Sequence, residues 1–157
     1  MVGNRGTPHA KAVEPFDGET VVPYLIGTVL ACGVSLFARL AGFDRDRAFY
    51  PTVLIVVASF YILFAVMGGS LYALAVESMI MLGFLVVAVL GLRLNLWIVA
   101  AGLAGHGLFD ALHPSLLSNS GVPVWWPPFC LAYDVTAATC LAWVSTHPDP
   151  NGARSSG

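Results

Sequence analysis

The sequence predicts an all-α protein, an integral membrane bundle of about five transmembrane helices. Of its 157 residues, 57% are hydrophobic and 10% are charged, and the mean hydropathy is +0.79. This composition is too apolar for an ordinary soluble domain and is typical of a chain that uses lipid as its solvent. We therefore expect the lipid bilayer of a cell membrane to be the main partner of the chain.

Five apolar stretches have a length close to the ~20 residues that cross a bilayer as a helix, and short polar links separate them. Pro23 and Pro51 lie in the first turn of their stretches, where a missing N–H costs little. The link at 68–70 is so short that the second and third helices must form an antiparallel hairpin. Asn95 is suited to cap the fourth helix, and the Trp-Trp-Pro-Pro run at 125–128 is suited to begin the fifth. The predicted spans are residues 21–41, 48–68, 71–92, 95–113 and 127–145.

Two polar tails flank this membrane domain. Residues 1–20 and 146–157 are rich in Gly, Pro, Ser or charged side chains and hold too few apolar residues to build a core. We expect both tails to be flexible. The first helix should remain in the mature chain, because the residues before it lack the pattern of a cleaved signal peptide.

The Lys and Arg residues predict how the chain is oriented. In a five-span chain, five of these residues share one side of the membrane and two share the other. The positive-inside rule therefore predicts an external N-terminus and a cytoplasmic C-terminus. The five are Arg39, Arg45, Arg47, Arg93 and Arg154, and the two are Arg5 and Lys11.

Charge and cysteine content exclude other classes of function. The net charge of -2 offers no basic field that could hold nucleic acid, so we predict no nucleic-acid partner. The three cysteines lack C-x-x-C spacing and lie in apolar stretches, which favours small buried hydrophobic side chains over disulfides or thiolate ligands. They are Cys32, Cys130 and Cys140.

One polar stripe interrupts the fourth span. His106, Asp110 and His113 are spaced i, i+4, i+7, so all three side chains fall on one face of a helix. Ionisable groups inside a membrane cost several kcal/mol unless they pair, bind an ion or line a wet cavity. A functional site is therefore the default interpretation of this stripe.

Two further carboxylates belong to the same level of the bilayer. Glu77 in the third span lies about six residues, roughly 9 Å, below one surface, and Asp134 in the fifth lies about seven to nine residues below the same surface. We expect both to join the stripe in one site in the outer half of the membrane. Tyr61 and Tyr133 fall near this level, but packing of the ring with the hydroxyl on a backbone carbonyl is the favoured interpretation of each.

The favoured function is a membrane-embedded enzyme that acts on a lipophilic small molecule. Two imidazoles with a carboxylate form a recurring ligand set for catalytic zinc, iron or manganese, so His106, Asp110 and His113 are candidate ligands of such a metal. Without a metal, the same groups form an acid/base set. Either chemistry supports hydrolysis, isomerisation or cyclisation. The candidate catalytic residues are Glu77, His106, Asp110 and Asp134.

Two other functions stay open at this point. Chains of His, Asp and Glu also relay protons or pass ions across membranes, although five spans without an internal repeat are a small frame for alternating access. Alternatively, the polar groups hold helices together in a structural or partner-binding subunit. The sequence does not fix the oligomeric state.

The last third of the chain resembles a group of small bacterial multi-pass membrane proteins that share a domain of unknown function. The matching positions are His106, Asp110, His113, Trp126-Pro127, Cys130 and Asp134. The resemblance implies that these positions act as one unit, and it implies no particular activity.

Overall fold

The computed structural model describes residues 18–43 and 46–147. In these two ranges the secondary structure is entirely helical, without a strand. Each of the five helices is long and apolar enough to cross a membrane, which confirms the predicted helical membrane bundle. The helices are α1 (Gly18–Ala41), α2 (Phe49–Met67), α3 (Leu71–Arg93), α4 (Leu96–Leu116) and α5 (Trp126–Thr146).

Two helices, α1 and α4, extend three residues beyond the predicted bounds, and every other helix end agrees with its prediction within one residue. Residues 18–20 were expected in the flexible tail, but they form the first turn of α1. α4 continues through Pro114 to Leu116, because a proline this close to the helix end removes a single hydrogen bond while the Leu117 N–H still donates to the His113 carbonyl. The rest of the two predicted tails, residues 1–17 and 148–157, lies outside the described residues.

Local signals at the links act as predicted. The side chain of Asn95 accepts a hydrogen bond from the Trp97 N–H and so caps α4. The link between α2 and α3 turns at Gly69, whose φ of 68° is a left-handed conformation that favours glycine. These links set α2, α3 and α4 side by side in alternating directions.

α4 lies at the centre of the bundle. It packs along α5 and α3 and also contacts α2, while α1 packs against the far side of α5. Small residues allow this close packing: a Cβ at Gly107 would lie 3.3 Å from the Leu131 carbonyl oxygen, and one at Gly102 would lie 2.7 Å from Val87 Cγ1. A Cβ at Gly105 would meet no atom within 4 Å, so this glycine is not needed for packing.

The core mixes apolar and polar side chains. Its largest apolar members include Leu54, Leu103 and Leu141, while many large apolar side chains on the outer faces are exposed, as expected of helices surrounded by lipid. The buried polar residues are Glu77, His106, Asp110, His113, Asn119 and Asp134.

The cysteines differ in burial. Cys130 is buried, Cys140 is half-buried and Cys32 is exposed on α1, and all three are free thiols. The prediction that all three are buried is therefore wrong for Cys32, because α1 presents only part of its surface to α5 and the rest faces outward.

Candidate functional site

The polar stripe of α4 faces the interior of the bundle. His106, Asp110 and His113 are 1%, 0% and 2% exposed. They lie on one face because their i, i+4, i+7 spacing follows the helical repeat. Side chains from α2, α3, α5 and the loop that follows α4 meet this face.

Four of the buried side chains form what we term the central cluster: His106, Asp110, Cys130 and Asp134. His106 Nδ1 lies 2.6 Å from Asp134 Oδ2 and 3.2 Å from Asp110 Oδ2. The Cys130 thiol donates a weak hydrogen bond to Asp134 Oδ2 at 3.8 Å. One nitrogen, one sulfur and two carboxylate oxygens from these side chains all lie within 4.8 Å of one another.

The central cluster is built from two helical pairs. His106 and Asp110 are four residues apart on α4, and Cys130 and Asp134 are four residues apart on α5, so each pair projects from one helix face. The close contact at Gly107 brings the two faces together. A single helix–helix contact therefore assembles all four side chains.

A second group, which we term the loop-side cluster, comprises Glu77, His113 and Asn119. His113 Nε2 lies 2.7 Å from Glu77 Oε1, and the amide of Asn119 donates to the same oxygen at 3.2 Å. Asn119 belongs to the loop between α4 and α5. A Cβ at Gly121 would overlap the Phe64 carbonyl oxygen, so glycine at this position lets the loop close onto the end of α2.

Tyr61 on α2 connects the two clusters. Its hydroxyl donates to Asp110 Oδ1 at 2.6 Å, and its ring stacks on His113 with centroids 4.2 Å apart. Its main-chain carbonyl also accepts from the Asn119 amide at 3.3 Å. The expectation that the Tyr61 hydroxyl binds a backbone carbonyl is therefore wrong, because the nearest acceptor is a carboxylate.

Three carboxylate oxygens of these clusters are buried without a hydrogen-bond partner in the described part of the chain. They are Glu77 Oε2, Asp110 Oδ2 and Asp134 Oδ1. A buried carboxylate oxygen is costly when it lacks a donor or a cation. In the central cluster, two carboxylates share one imidazole, so even a protonated His106 balances the charge of only one. A shared proton or a bound cation would balance the remaining negative charge.

Two pockets lead toward the clusters. One of about 270 Å³ lies under the α4–α5 loop, and His113, Asn119 and Pro127 are part of its wall. The other, of about 230 Å³, is an apolar groove between α1, α2 and α5, and it reaches Cys130 at its inner wall. Its walls include Leu30, Val57, Phe60 and Phe129. The central cluster therefore lies beside the apolar groove. The loop-side cluster lies beside the pocket under the α4–α5 loop, which we term the loop-face pocket.

The predicted site residues come together, but in two groups. Of the four candidate catalytic residues, the central cluster holds His106, Asp110 and Asp134, and Glu77 lies in the loop-side cluster. The predicted metal ligands also separate: His106 and Asp110 share the central cluster, while His113 binds Glu77. The reason is the i+7 spacing, which puts His113 two turns from His106 and opposite a different helix.

Sequence reasoning did not assign the roles of three contributors. Composition and spacing favour a small hydrophobic residue at Cys130, although the resemblance groups it with Asp134 and its position four residues before Asp134 places both side chains on one helix face. The partner of the Tyr61 hydroxyl can be identified only from the way in which α2 packs on α4. Asn119 lies in a polar loop, and no local pattern distinguishes it from its neighbours. Tyr133 is half-buried along the apolar groove.

Comparison of the chain with protein-family models, with curated proteins and with solved structures gives no match. The resemblance to small bacterial membrane proteins therefore receives no support from these comparisons.

Proposed function

We propose that the protein is a membrane-embedded enzyme that acts on a lipophilic small molecule at the central cluster. One observation carries the proposal: two carboxylates, an imidazole and a thiol meet in a buried site next to an apolar groove. Such a concentration of ionisable groups costs stability in a membrane bundle, and function is the usual reason for keeping it. Cys130 is the member of the cluster that lines the groove, so a substrate dissolved in the lipid would approach the cluster past this thiol.

The chemistry of the cluster fits proton transfer. One oxygen each from Asp110 and Asp134 contacts the same ring nitrogen, His106 Nδ1, so the proton on this nitrogen can be passed to either aspartate. A general base and a general acid within hydrogen-bond reach of each other serve hydrolysis, isomerisation or cyclisation. The Tyr61 hydroxyl fixes Asp110 from the other side and holds it in the geometry that such transfer needs.

Glu77 and His113 fit a supporting role in this scheme. They lie beside the loop-face pocket and are linked to Asp110 by Tyr61. We propose that the pair holds the stacked Tyr61 ring in place, so that the Tyr61 hydroxyl keeps Asp110 oriented through each turnover.

The same chain of groups favours a second candidate function, proton translocation. Polar side chains run from Asn119 through Glu77, His113 and Tyr61 to the central cluster, and such chains relay protons in membrane proteins. The enzyme is the better candidate, because the side chains lining the groove beside Cys130 are almost entirely apolar. A proton path would need polar groups there.

We also propose that the N-terminus is external and the C-terminus cytoplasmic. Arg39 and Arg93 lie in the last turns of α1 and α3, at the end of the bundle opposite the α4–α5 loop. In this orientation the loop-face pocket opens outward. Labelling of Ser120→Cys by a membrane-impermeant maleimide in intact cells, in a variant without the three natural cysteines, tests this. Labelling only after the cells are broken would reverse the orientation.

The enzyme proposal is tested in lipid nanodiscs that contain a total lipid extract of the source cells. Wild-type protein should change the mass profile of the extract without any ion gradient, and Asp110→Asn and His106→Ala should not. Unaltered helical content in both variants shows that the fold is retained. An identical profile for wild type and both variants would overturn the proposal. Proton flux in vesicles that requires His113, without any change in lipids, would favour translocation instead.

A further inference from the structure

We propose that the central cluster is a zinc site whose ligands are His106 Nδ1, Cys130 Sγ and one oxygen each from Asp110 and Asp134. The inference rests on the proposed function in placing the chemistry at this cluster, and it adds the cofactor. It replaces His113, the ligand expected from the sequence, with a thiol and a carboxylate from α5. With zinc bound, His106 is a ligand rather than the base, and one carboxylate must give up its coordination position to water or substrate during turnover.

Two of the distances among these atoms are close to those of a tetrahedral site, and the whole set lies within 4.8 Å, so zinc would draw the most distant atoms together. Zinc bonds of 2.0 to 2.3 Å place neighbouring ligand atoms about 3.3–3.8 Å apart. His106 Nδ1 lies 3.2 Å from Asp110 Oδ2, and Cys130 Sγ lies 3.8 Å from Asp134 Oδ2. The 2.6 Å contact between His106 and Asp134 must widen by several tenths of an ångström, a change that small rotations of two side chains supply.

An unsatisfied carboxylate oxygen points to a cation at the cluster. Asp110 Oδ2 faces His106 Nδ1 at 3.2 Å but makes no hydrogen bond within the described residues, and its side chain is 0% exposed. Asp134 Oδ1, the oxygen of Asp134 that does not contact His106, also lacks a hydrogen-bond partner there. The other oxygen of Asp110 is occupied by the Tyr61 hydroxyl. Tyr61 thus orients Asp110 so that its second oxygen faces His106, as partners of metal-binding carboxylates commonly do.

The kinds of donor atom favour zinc over magnesium and calcium. Magnesium and calcium prefer sites made of oxygen ligands alone, whereas one nitrogen, one sulfur and two oxygens suit zinc. His113 and Glu77 offer no thiol, and they bind each other at 2.7 Å. The loop-side cluster therefore does not compete for the metal.

The charges of the binding step balance. With His106 as imidazolium, Cys130 as thiol and both aspartates ionised, the cluster has a net charge of −1. When Zn²⁺ binds, the imidazolium and the thiol each release a proton, since both must be deprotonated to act as ligands. Two protons leave, two positive charges arrive, and the net charge stays at −1.

X-ray absorption at the zinc edge tests the site on full-length protein in detergent, after chelation and reloading with zinc chloride. We expect about one zinc per chain, with one sulfur neighbour near 2.3 Å and nitrogen or oxygen neighbours near 2.0–2.1 Å. Cys130→Ser should lose the sulfur neighbour and weaken zinc binding at least about tenfold. Cys140→Ser, on the same helix but outside the cluster, should behave as wild type.

Several results would overturn the proposal. Zinc with nitrogen and oxygen neighbours alone would exclude Cys130, and a sulfur neighbour that persists in Cys130→Ser would place the metal elsewhere. Failure to retain zinc after reloading, or stronger retention of Fe²⁺ or Mn²⁺ in competition, would exclude a zinc site. The nanodisc assay separates this proposal from the enzyme: zinc without turnover overturns only the enzyme, and turnover without zinc overturns only the metal.

Discussion

The central cluster and the loop-side cluster lie on the same face of α4 and are almost equally buried, yet they differ in the ratio of acids to bases. In the central cluster, two aspartates and a thiol surround the single imidazole of His106. In the loop-side cluster, one glutamate faces one imidazole, and the Asn119 amide donates to it as well. The central cluster has more hydrogen-bond acceptors than donors. In the loop-side cluster, the one acid, Glu77, is paired with one base, His113.

This difference shows that burial alone does not identify a reactive site. In a matched pair such as Glu77 and His113, each side chain balances the charge and the hydrogen bond of the other. Replacing both together therefore leaves no uncompensated buried charge. An unmatched set such as the central cluster needs a proton or a cation from outside. If the two clusters are separate, a substitution in the loop-side cluster should change stability and leave zinc binding at the central cluster unchanged.

The largest effect is expected from breaking the matched pair. His113→Leu leaves Glu77 buried without its base, and we expect the free energy of unfolding in a detergent–SDS titration to fall by about 3–5 kcal/mol. The double variant Glu77→Leu/His113→Leu should be closer to wild type than His113→Leu alone. Equal or additive losses in the double variant would show that the pair is not self-contained.

A smaller but more specific effect is expected in the central cluster. Asp134→Asn should reduce zinc affinity more than about 100-fold, because even partners of metal ligands contribute 10- to 100-fold. Glu77→Gln is the matched control and should leave zinc affinity unchanged, as measured by competition with a fluorescent chelator. Similar losses in both variants would mean that the two clusters act as one site.

Tyr61→Phe should have an intermediate effect, because it removes one hydroxyl and retains the stacked ring. Loss of the 2.6 Å hydrogen bond to Asp110 should weaken zinc binding about tenfold. Tyr133→Phe, at a half-buried tyrosine beside the apolar groove, serves as the control in the same titration and should bind zinc as wild type does. An unchanged affinity in Tyr61→Phe would show that Asp110 is oriented without it.

The smaller of the two effects on unfolding is expected from Asn119→Ala. Its amide donates hydrogen bonds to the Tyr61 carbonyl and to Glu77 and accepts one from the Gly121 N–H, so the free energy of unfolding should fall by about 1–2 kcal/mol. Ser120→Ala, at the exposed neighbouring position, should have almost no effect in the same SDS titration. A larger loss in Ser120→Ala than in Asn119→Ala would contradict the role given to the amide.

Much of the fold follows from local properties of the chain. The five spans are set by apolar composition and length, and the stripe of His106, Asp110 and His113 by the helical repeat. Glu77 and Asp134 could be placed at the same level by counting residues from the ends of their spans. Such counting gives depth in the membrane, but it does not say which helix faces which.

Composition and periodicity are thus enough to predict a five-helix membrane protein with ionisable groups at one depth. How those groups pair is visible only in the folded bundle: His113 binds Glu77, Asp110 binds Tyr61, and Cys130 joins His106 and Asp134. The pairing depends on the rotation and close approach of neighbouring helices, which local sequence patterns do not contain. This rotation and approach depend on packing at residues such as Gly107 and Gly121, far in sequence from some of the side chains they bring together.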